Sequence, residues 1–196
     1  NGKFEGIEKI QGLVFRKNGT IFTTASRDMI EPLDSIPFPD RDIFPNTADI
    51  SILTSRGCPY NCVFCSSTRF FKKVRFFSAD YVVNEIKMLI DKYHPKKIGI
   101  VDDLFIANIP RLKEISKKIK DEKINEIVSF TCHGRANLIN DEIVSLLKDM
   151  NVAIVQMGLE SGCPKTLKYL KGQTVTVKNN ETAIKTIQKY GIEAFG

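Results

Sequence analysis

The sequence predicts an α/β fold made of parallel β/α units, preceded by a β-hairpin and a proline-rich linker. Three observations carry this. From Ile50 onward, apolar runs of strand length alternate with segments whose apolar residues recur at helical spacing. Ser78, Asn108 and Asn140, residue types that cap helix N-termini, each stand directly before such a segment. A chain of 196 residues with 42% hydrophobic content suffices for one well-buried domain and a small appendage.

Taken in order, residues 13–17 and 20–24 flank Asn18-Gly19, a dipeptide suited to a type I′ turn, and so predict a hairpin. Residues 32–42 contain Pro32, Pro37 and Pro39, which remove backbone donors and fix φ, so an extended linker or surface arm is expected. Residues 1–45 are therefore assigned to hairpin and linker, and residues 46–196 to the core domain. Residues 50–54 form the first strand. The helix over 78–93 places Val82, Ile86, Leu89, Ile90 and Tyr93 on one face. The second strand is 97–101, and Asn108 opens a helix with Leu112, Ile115 and Ile119 inward. Residues 127–132 make the third strand, and Asn140 opens a helix bearing Ile143, Leu146, Leu147 and Met150. The fourth strand covers 152–159. A short helix over 164–170 and a longer one over 177–190 follow, the latter stopping at Gly191, and 192–195 begin a fifth strand.

The net charge is +6 with pI near 9.0, but most of the lysines are scattered and interleaved with acids, as in 117–122. That pattern argues for a solvated surface over a nucleic-acid groove. Residues 70–77, rich in phenylalanine and basic side chains, are the exception. They suit a segment packed over the site or one that binds an anionic cofactor group, and they leave an RNA contact open. No run approaches a membrane span and the polar start is no signal peptide, so no membrane partner and a cytoplasmic location are expected.

Cys58, Cys62 and Cys65 lie within eight residues directly after the first strand. Three thiols this close cannot pair off as disulfides, and Pro59 favours a loop, so the segment reads as a metal centre. Zinc usually takes four protein ligands, whereas a 4Fe-4S cluster can be held by three thiolates with one iron open. In parallel β/α folds, sites gather where strands end. Further candidates there are Asp102 and Asp103, then Cys132, His133, Arg135 and Asn137, then Glu160, Ser161 and Cys163. Those on the second and third strands have plain structural alternatives: turn-capping aspartates, a salt-bridged arginine, a satisfied histidine, a small buried cysteine at 132.

The Cys-x-x-x-Cys-x-x-Cys spacing resembles the hallmark of the radical S-adenosylmethionine superfamily. Phe64, directly before the last cysteine, matches the aromatic that lies by the adenine in that family. The resemblance implies a 4Fe-4S cluster on Cys58, Cys62 and Cys65, whose open iron chelates S-adenosylmethionine. It implies one-electron cleavage of the sulfonium to methionine and a 5′-deoxyadenosyl radical that abstracts a substrate hydrogen. Asp102 and Asp103 stand where many members have Gly-Gly-Glu to receive the amino group. Arg135 suits the cofactor carboxylate. Glu160 and Ser161 match an acid and hydroxyl that contact ribose and methionine. Cys163 stands where serine is frequent, with a fourth metal ligand as the alternative.

The resemblance also implies a partial barrel of six β/α units, of which this chain holds about four and the start of the next. A fragment with an unfinished sheet edge is expected, prone to pairing through that edge. The hairpin and linker resemble the join to a cobalamin-binding domain in one large subclass, which includes methyltransferases and oxidative cyclases. That domain's Asp-x-His-x-x-Gly signature has no match here, so Asn1 is expected to be a cut within a longer protein and cobalamin use is an inference about an absent domain. A small-molecule substrate and a reductant such as flavodoxin or ferredoxin are the implied partners. A tRNA methylthiotransferase-like enzyme is the alternative within the class, weakened because residues 68–73 lack its Arg-Ser-Arg run. Outside the class stand a zinc-stabilised RNA-binding module and a simple electron-transfer protein.

Overall fold

A computed structural model describes residues 6–43 and 50–196. The chain divides into two compact units between Ser35 and Ile36. In the first, β1 (Val14–Lys17) pairs antiparallel with β2 (Thr20–Thr23) in the register Val14↔Thr23. Asn18 and Gly19 take φ of 49° and 81°, both left-handed as a type I′ turn requires, and Phe15 stacks on Phe22. Leu33–Ser35 forms one 3₁₀ turn, so the stretch expected to be extended throughout is not.

The second unit begins inside the expected linker. The Tyr81 hydroxyl donates to the Ile36 carbonyl at 3.0 Å, and Phe38 packs edge-on against the Tyr81 ring. Arg41 Nη2 donates at 2.8 Å both to Glu85 Oε1 and to the Ser51 carbonyl. The bond from Tyr81 and those from Arg41 to Glu85 and Ser51 take the place of ladder bonds that the prolines preclude, and so residues 36–43 are bound to the core.

That core contains β3 (Ile50–Ile52), β4 (Ser55–Arg56), α1 (Ser67–Phe70), β5 (Arg75–Phe76), α2 (Ala79–Tyr93), β6 (Lys97–Ile100) and α3 (Ile109–Asp121). There follow β7 (Ser129–His133), α4 (Asp141–Asp149), β8 (Val152–Gln156), α5 (Pro164–Lys171), α6 (Val177–Lys189) and β9 (Glu193–Phe195). One sheet in the order β3-β6-β7-β8-β9 is parallel throughout. It is an open α/β arrangement compatible with a partial barrel. Ile98, Ile100, Phe130 and Val155 on the sheet pack with Ile86, Leu89, Leu112, Ile115, Ile143 and Ile187 of the helices in a fully buried core.

The capping residues act as their chemistry dictates. Ser78, Asn108 and Asn140 accept from the backbone N–H groups of Tyr81, Arg111 and Ile143. The first, second and fourth strands end before the predicted points, because residues such as Thr54 and Gly158 belong to the loops beyond the ladder. A pair absent from the sequence reading, β4 with β5, joins Ser55 to Phe76 and Arg56 to Arg75. It closes the cysteine loop at its base.

Candidate functional site

The cysteine loop leaves β4 through Gly57, whose φ is 91°. A Cβ there would also meet the Phe71 side chain at 3.0 Å and the Lys73 carbonyl at 3.3 Å, so only glycine serves both demands. Inside the loop, the Val63 N–H donates to the Leu170 carbonyl at 3.1 Å, fixing the loop to the end of α5. Cys58, Cys62 and Cys65 line one cavity of about 390 Å³ with Phe64, Asp103, His133, Arg135, Gln156, Glu160 and Lys171. Burial pushes the Cys58 thiol above its ordinary pKa, aided by Asp103 and Cys62, while the Tyr60 backbone and Arg135 pull the other way.

The two adjacent aspartates part company. Asp102 is fully buried and its carboxylate accepts from Thr54 N at 2.5 Å and from Thr54 Oγ1 and Ser55 Oγ at 2.6 Å. It ties the end of β3 to the end of β6. Its carboxylate is thus engaged within the protein, away from the cavity lining. Asp103, the next residue, points to the other side and lines the cavity, with Oδ2 accepting from Ser67 Oγ at 2.7 Å.

Arg135 is buried beneath the loop. Nη1 donates to Cys62 Sγ at 3.2 Å, and Nη2 to the Lys171 carbonyl and Thr174 Oγ1, both at 3.1 Å. The guanidinium lies 3.9 Å from the centre of the Tyr60 ring, and the Tyr60 hydroxyl accepts from Asn137 Nδ2 at 3.1 Å. Nε has no partner. Arg135 forms no salt bridge among the described residues; its partners are a cysteine sulfur, a carbonyl and a hydroxyl.

His133 and Gln156 are register partners at the ends of β7 and β8. His133 Nδ1 lies 2.9 Å from the Asp102 carbonyl, which can only accept, so Nδ1 carries a proton. Nε2 is 2.9 Å from the Gln156 side-chain amide. Histidine is thus satisfied and also faces the cavity. Cys132, one residue earlier, is buried and its thiol is pushed up to about 12, the small core side chain that was expected.

At the fourth strand end, Glu160 takes φ of 60° and pairs with Lys171 Nζ at 3.3 Å. Lys171 Nζ also donates to the Gly158 carbonyl. Ser161 does not line the cavity; its hydroxyl accepts from Cys163 N at 3.0 Å, opening the turn into α5. Cys163 is exposed at the start of α5, and N–H groups of Thr166 and Lys165 and the Thr166 hydroxyl lower its thiol pKa. It lies outside the cavity lining. Phe64 stands on the rim, 55% exposed.

Lys171, Gln156 and Tyr60 were missed by sequence reasoning. For Tyr60 and Gln156 a signal existed: one lies between the cysteines and the other is a polar residue ending an apolar strand.

The donor set fits an iron-sulfur cluster. A buried guanidinium with an unpartnered N–H, facing sulfur, calls for compensating negative charge, and thiolates of a cluster supply it. Among the described residues no group of three or more His, Cys, Asp or Glu is already gathered around one ion position. In a 4Fe-4S cluster the three thiolates bind different irons, so their sulfurs need not meet at one point.

The chain belongs to the radical SAM superfamily, whose family model matches residues 52–196. Membership implies a 4Fe-4S cluster and S-adenosylmethionine as cofactors. The chain is 34% identical to the uncharacterized methyltransferase PH0819 of Pyrococcus horikoshii, over 97% of this chain and 42% of that one. It is 28% identical to MJ0865, a Methanocaldococcus jannaschii protein that carries a methylthiotransferase name, over 95% of this chain and 43% of that one. It therefore spans less than half the length of both relatives. Among solved structures, the cobalamin-dependent S-adenosylmethionine radical enzyme OxsB, with aqua-cobalamin and S-adenosylmethionine bound, superposes with a TM-score of 0.80. That match covers 96% of this chain and 29% of OxsB at 19% identity, which shows a shared fold. Among the described residues no helix is long and apolar enough to cross a membrane.

Proposed function

We propose that this chain is the radical-generating part of a cobalamin-linked enzyme that transfers a methyl group to a small-molecule substrate. The observation that carries the reading is the gathering of Cys58, Cys62 and Cys65 in one cavity with Asp103, Arg135 and Glu160. Residues 58, 62 and 65 would hold the cluster. When bound, the cluster supplies one electron that cleaves S-adenosylmethionine into methionine and a deoxyadenosyl group able to take hydrogen from a substrate.

The chain's own residues bind and orient. Asp103, held by Ser67, presents a carboxylate to the cofactor's amino group. Phe64 on the rim offers a face for the adenine. Glu160, held by Lys171, is placed to accept from ribose hydroxyls. Leu104 and Met157, both buried, give the cavity apolar walls that exclude water. Arg135 neutralises charge at Cys62.

Methyl transfer is favoured by the methyltransferase description of PH0819, and cobalamin by the fold shared with OxsB. A methylthiotransferase-like activity on tRNA is the second reading, favoured by the likeness to MJ0865. The test is anaerobic turnover of the cluster-loaded protein with dithionite. Formation of 5′-deoxyadenosine, abolished by Cys62→Ala, supports the proposal. Its absence from a protein with a full cluster and bound S-adenosylmethionine contradicts it. Methyl incorporation that depends on added cobalamin separates the first reading from the second, in which tRNA gains sulfur as well.

A further inference from the structure

A second cavity, of about 480 Å³, contains none of the cysteines. It lies along β3, the edge strand of the sheet, with residues from 36 to 41 across from it. Ile50 and Ile52 are buried against the helices, so by alternation Ser51 and Leu53 turn to the opposite face of the sheet. On the next strand Ile100 and Asp102 are buried, and Val101 between them takes that same face. Leu53 and Val101 are left 48% and 44% exposed in a cavity that Pro37 and Phe77 also line. The register Ile100↔Cys132 sets Val101 beside His133, which lines the cluster cavity, so the two cavities are neighbours across the end of β6.

One cation in this lining is left without a partner. Glu85 is paired with Arg41 at 2.8 Å, and Asp40 Oδ1 accepts from the Asp42 N–H at 3.0 Å. Arg56 is half-buried, and its guanidinium meets no acceptor among the described residues. Arg41, Arg111 and Arg135, buried or half-buried like it, all donate to acceptors of the protein. Arg56 also stands directly opposite Arg75 across the β4–β5 pair, where like charges repel. An anion held there relieves the repulsion and satisfies the fork of donors.

We propose that this cavity takes the body of the substrate, and that the substrate is an apolar molecule carrying a carboxylate or a phosphate. The anionic group sits on Arg56, the apolar part covers Leu53, Val101 and Phe77, and the carbon to be attacked reaches past Val101 toward His133. Covering half-exposed aliphatic side chains supplies affinity, and the bidentate match of guanidinium to carboxylate or phosphate supplies orientation. The aromatic and basic segment over 70–77 gives this site Phe77 in the lining and Arg75 opposite Arg56. The inference names the substrate class of the proposed enzyme and rests on that reading.

The test is anaerobic calorimetry of the cluster-loaded protein with three probes that share one aromatic body: 1-naphthaleneacetate, 1-naphthyl phosphate and the uncharged 1-naphthaleneacetamide. At least one anion is expected to bind about tenfold more tightly than the amide, and which one does so separates carboxylate from phosphate. Arg56→Gln is expected to bring that anion down to the affinity of the amide and to leave the amide unchanged, which also shows the cavity intact. Leu53→Gln is expected to weaken all three about fivefold. Where Arg56→Gln loses every probe, Arg56→Lys decides: a retained preference for the anion supports the inference, and a lost one overturns it. No binding of any probe, equal binding of anion and amide, or an anion affinity that ignores Arg56→Gln or Leu53→Gln also overturns it. Formation of 5′-deoxyadenosine is read separately. A protein that forms it without preferring an anion keeps the radical reading and loses this one, whereas the preference without deoxyadenosine leaves an anion site and removes the radical reading.

Discussion

Arg135 Nη1 stands 3.2 Å from Cys62 Sγ, with the guanidinium 3.9 Å over the Tyr60 ring. A fixed positive charge and a donor on a ligand sulfur favour the more negative, reduced state of a cluster. Arg135→Gln is predicted to lower the reduction potential by about 60 mV, what a roughly 1.4 kcal/mol interaction gives for one electron. Affinity for S-adenosylmethionine changes little. The opposite pattern, an unmoved potential with affinity reduced tenfold or more, would return Arg135 to the cofactor carboxylate. A redox titration followed by electron paramagnetic resonance, with a binding isotherm, decides it.

Asp102 and Asp103 are predicted to separate cleanly in mutagenesis. Asp102→Ala strands the buried donors Thr54 N, Thr54 Oγ1 and Ser55 Oγ, and should cost about 3 kcal/mol. Asp103→Ala loses one bond to Ser67 and should cost less than about 1 kcal/mol while weakening S-adenosylmethionine binding. Denaturant melts and cofactor titrations check both arms.

The thiols outside the loop give a pH prediction. Cys132 ordinarily ionises near 9.0, but in the fold only at about 12. Below the unfolded value both states hold the proton and the contribution to stability is full. As pH rises from 9 toward 12 the unfolded state releases the proton first, and stability is lost. Wild type should therefore lose stability relative to Cys132→Ala over that range. In alkylation of the native protein, exposed Cys163, with its lowered pKa, reacts first and Cys132 last.

Arg41 and Glu85 form a mostly buried ion pair, with side chains 14% and 4% exposed. Burial raises the Glu85 pKa while Arg41 holds it down. Arg41→Ala should cost about 3 kcal/mol, because it leaves an acid buried without its cation. A melt in which Arg41→Ala matches wild type would restore residues 36–43 to the status of a free linker.

The strands, the long helices and their caps were legible because each is written in local periodicity and one polar side chain. The cysteine spacing was legible for the same reason. What escaped depends on contacts far apart in sequence, such as Arg41 with Glu85, Lys171 with Glu160 and Arg135 with Cys62. Asp102 and Asp103 are identical neighbours in sequence, and only the alternation of side chains beyond β6 sends one into the protein and the other into the cavity. Ser161 was assigned with Glu160, yet the left-handed backbone at Glu160 turns the serine hydroxyl toward α5. The two-residue strands β4 and β5 are too short to carry any period.

The most direct test of the central claim is electron paramagnetic resonance of the anaerobically reconstituted, reduced protein, with and without S-adenosylmethionine. The account predicts a 4Fe-4S signal that shifts when the cofactor is added and disappears in Cys62→Ala. Stoichiometric zinc with no such signal, or a cluster signal that S-adenosylmethionine leaves unmoved, would contradict it.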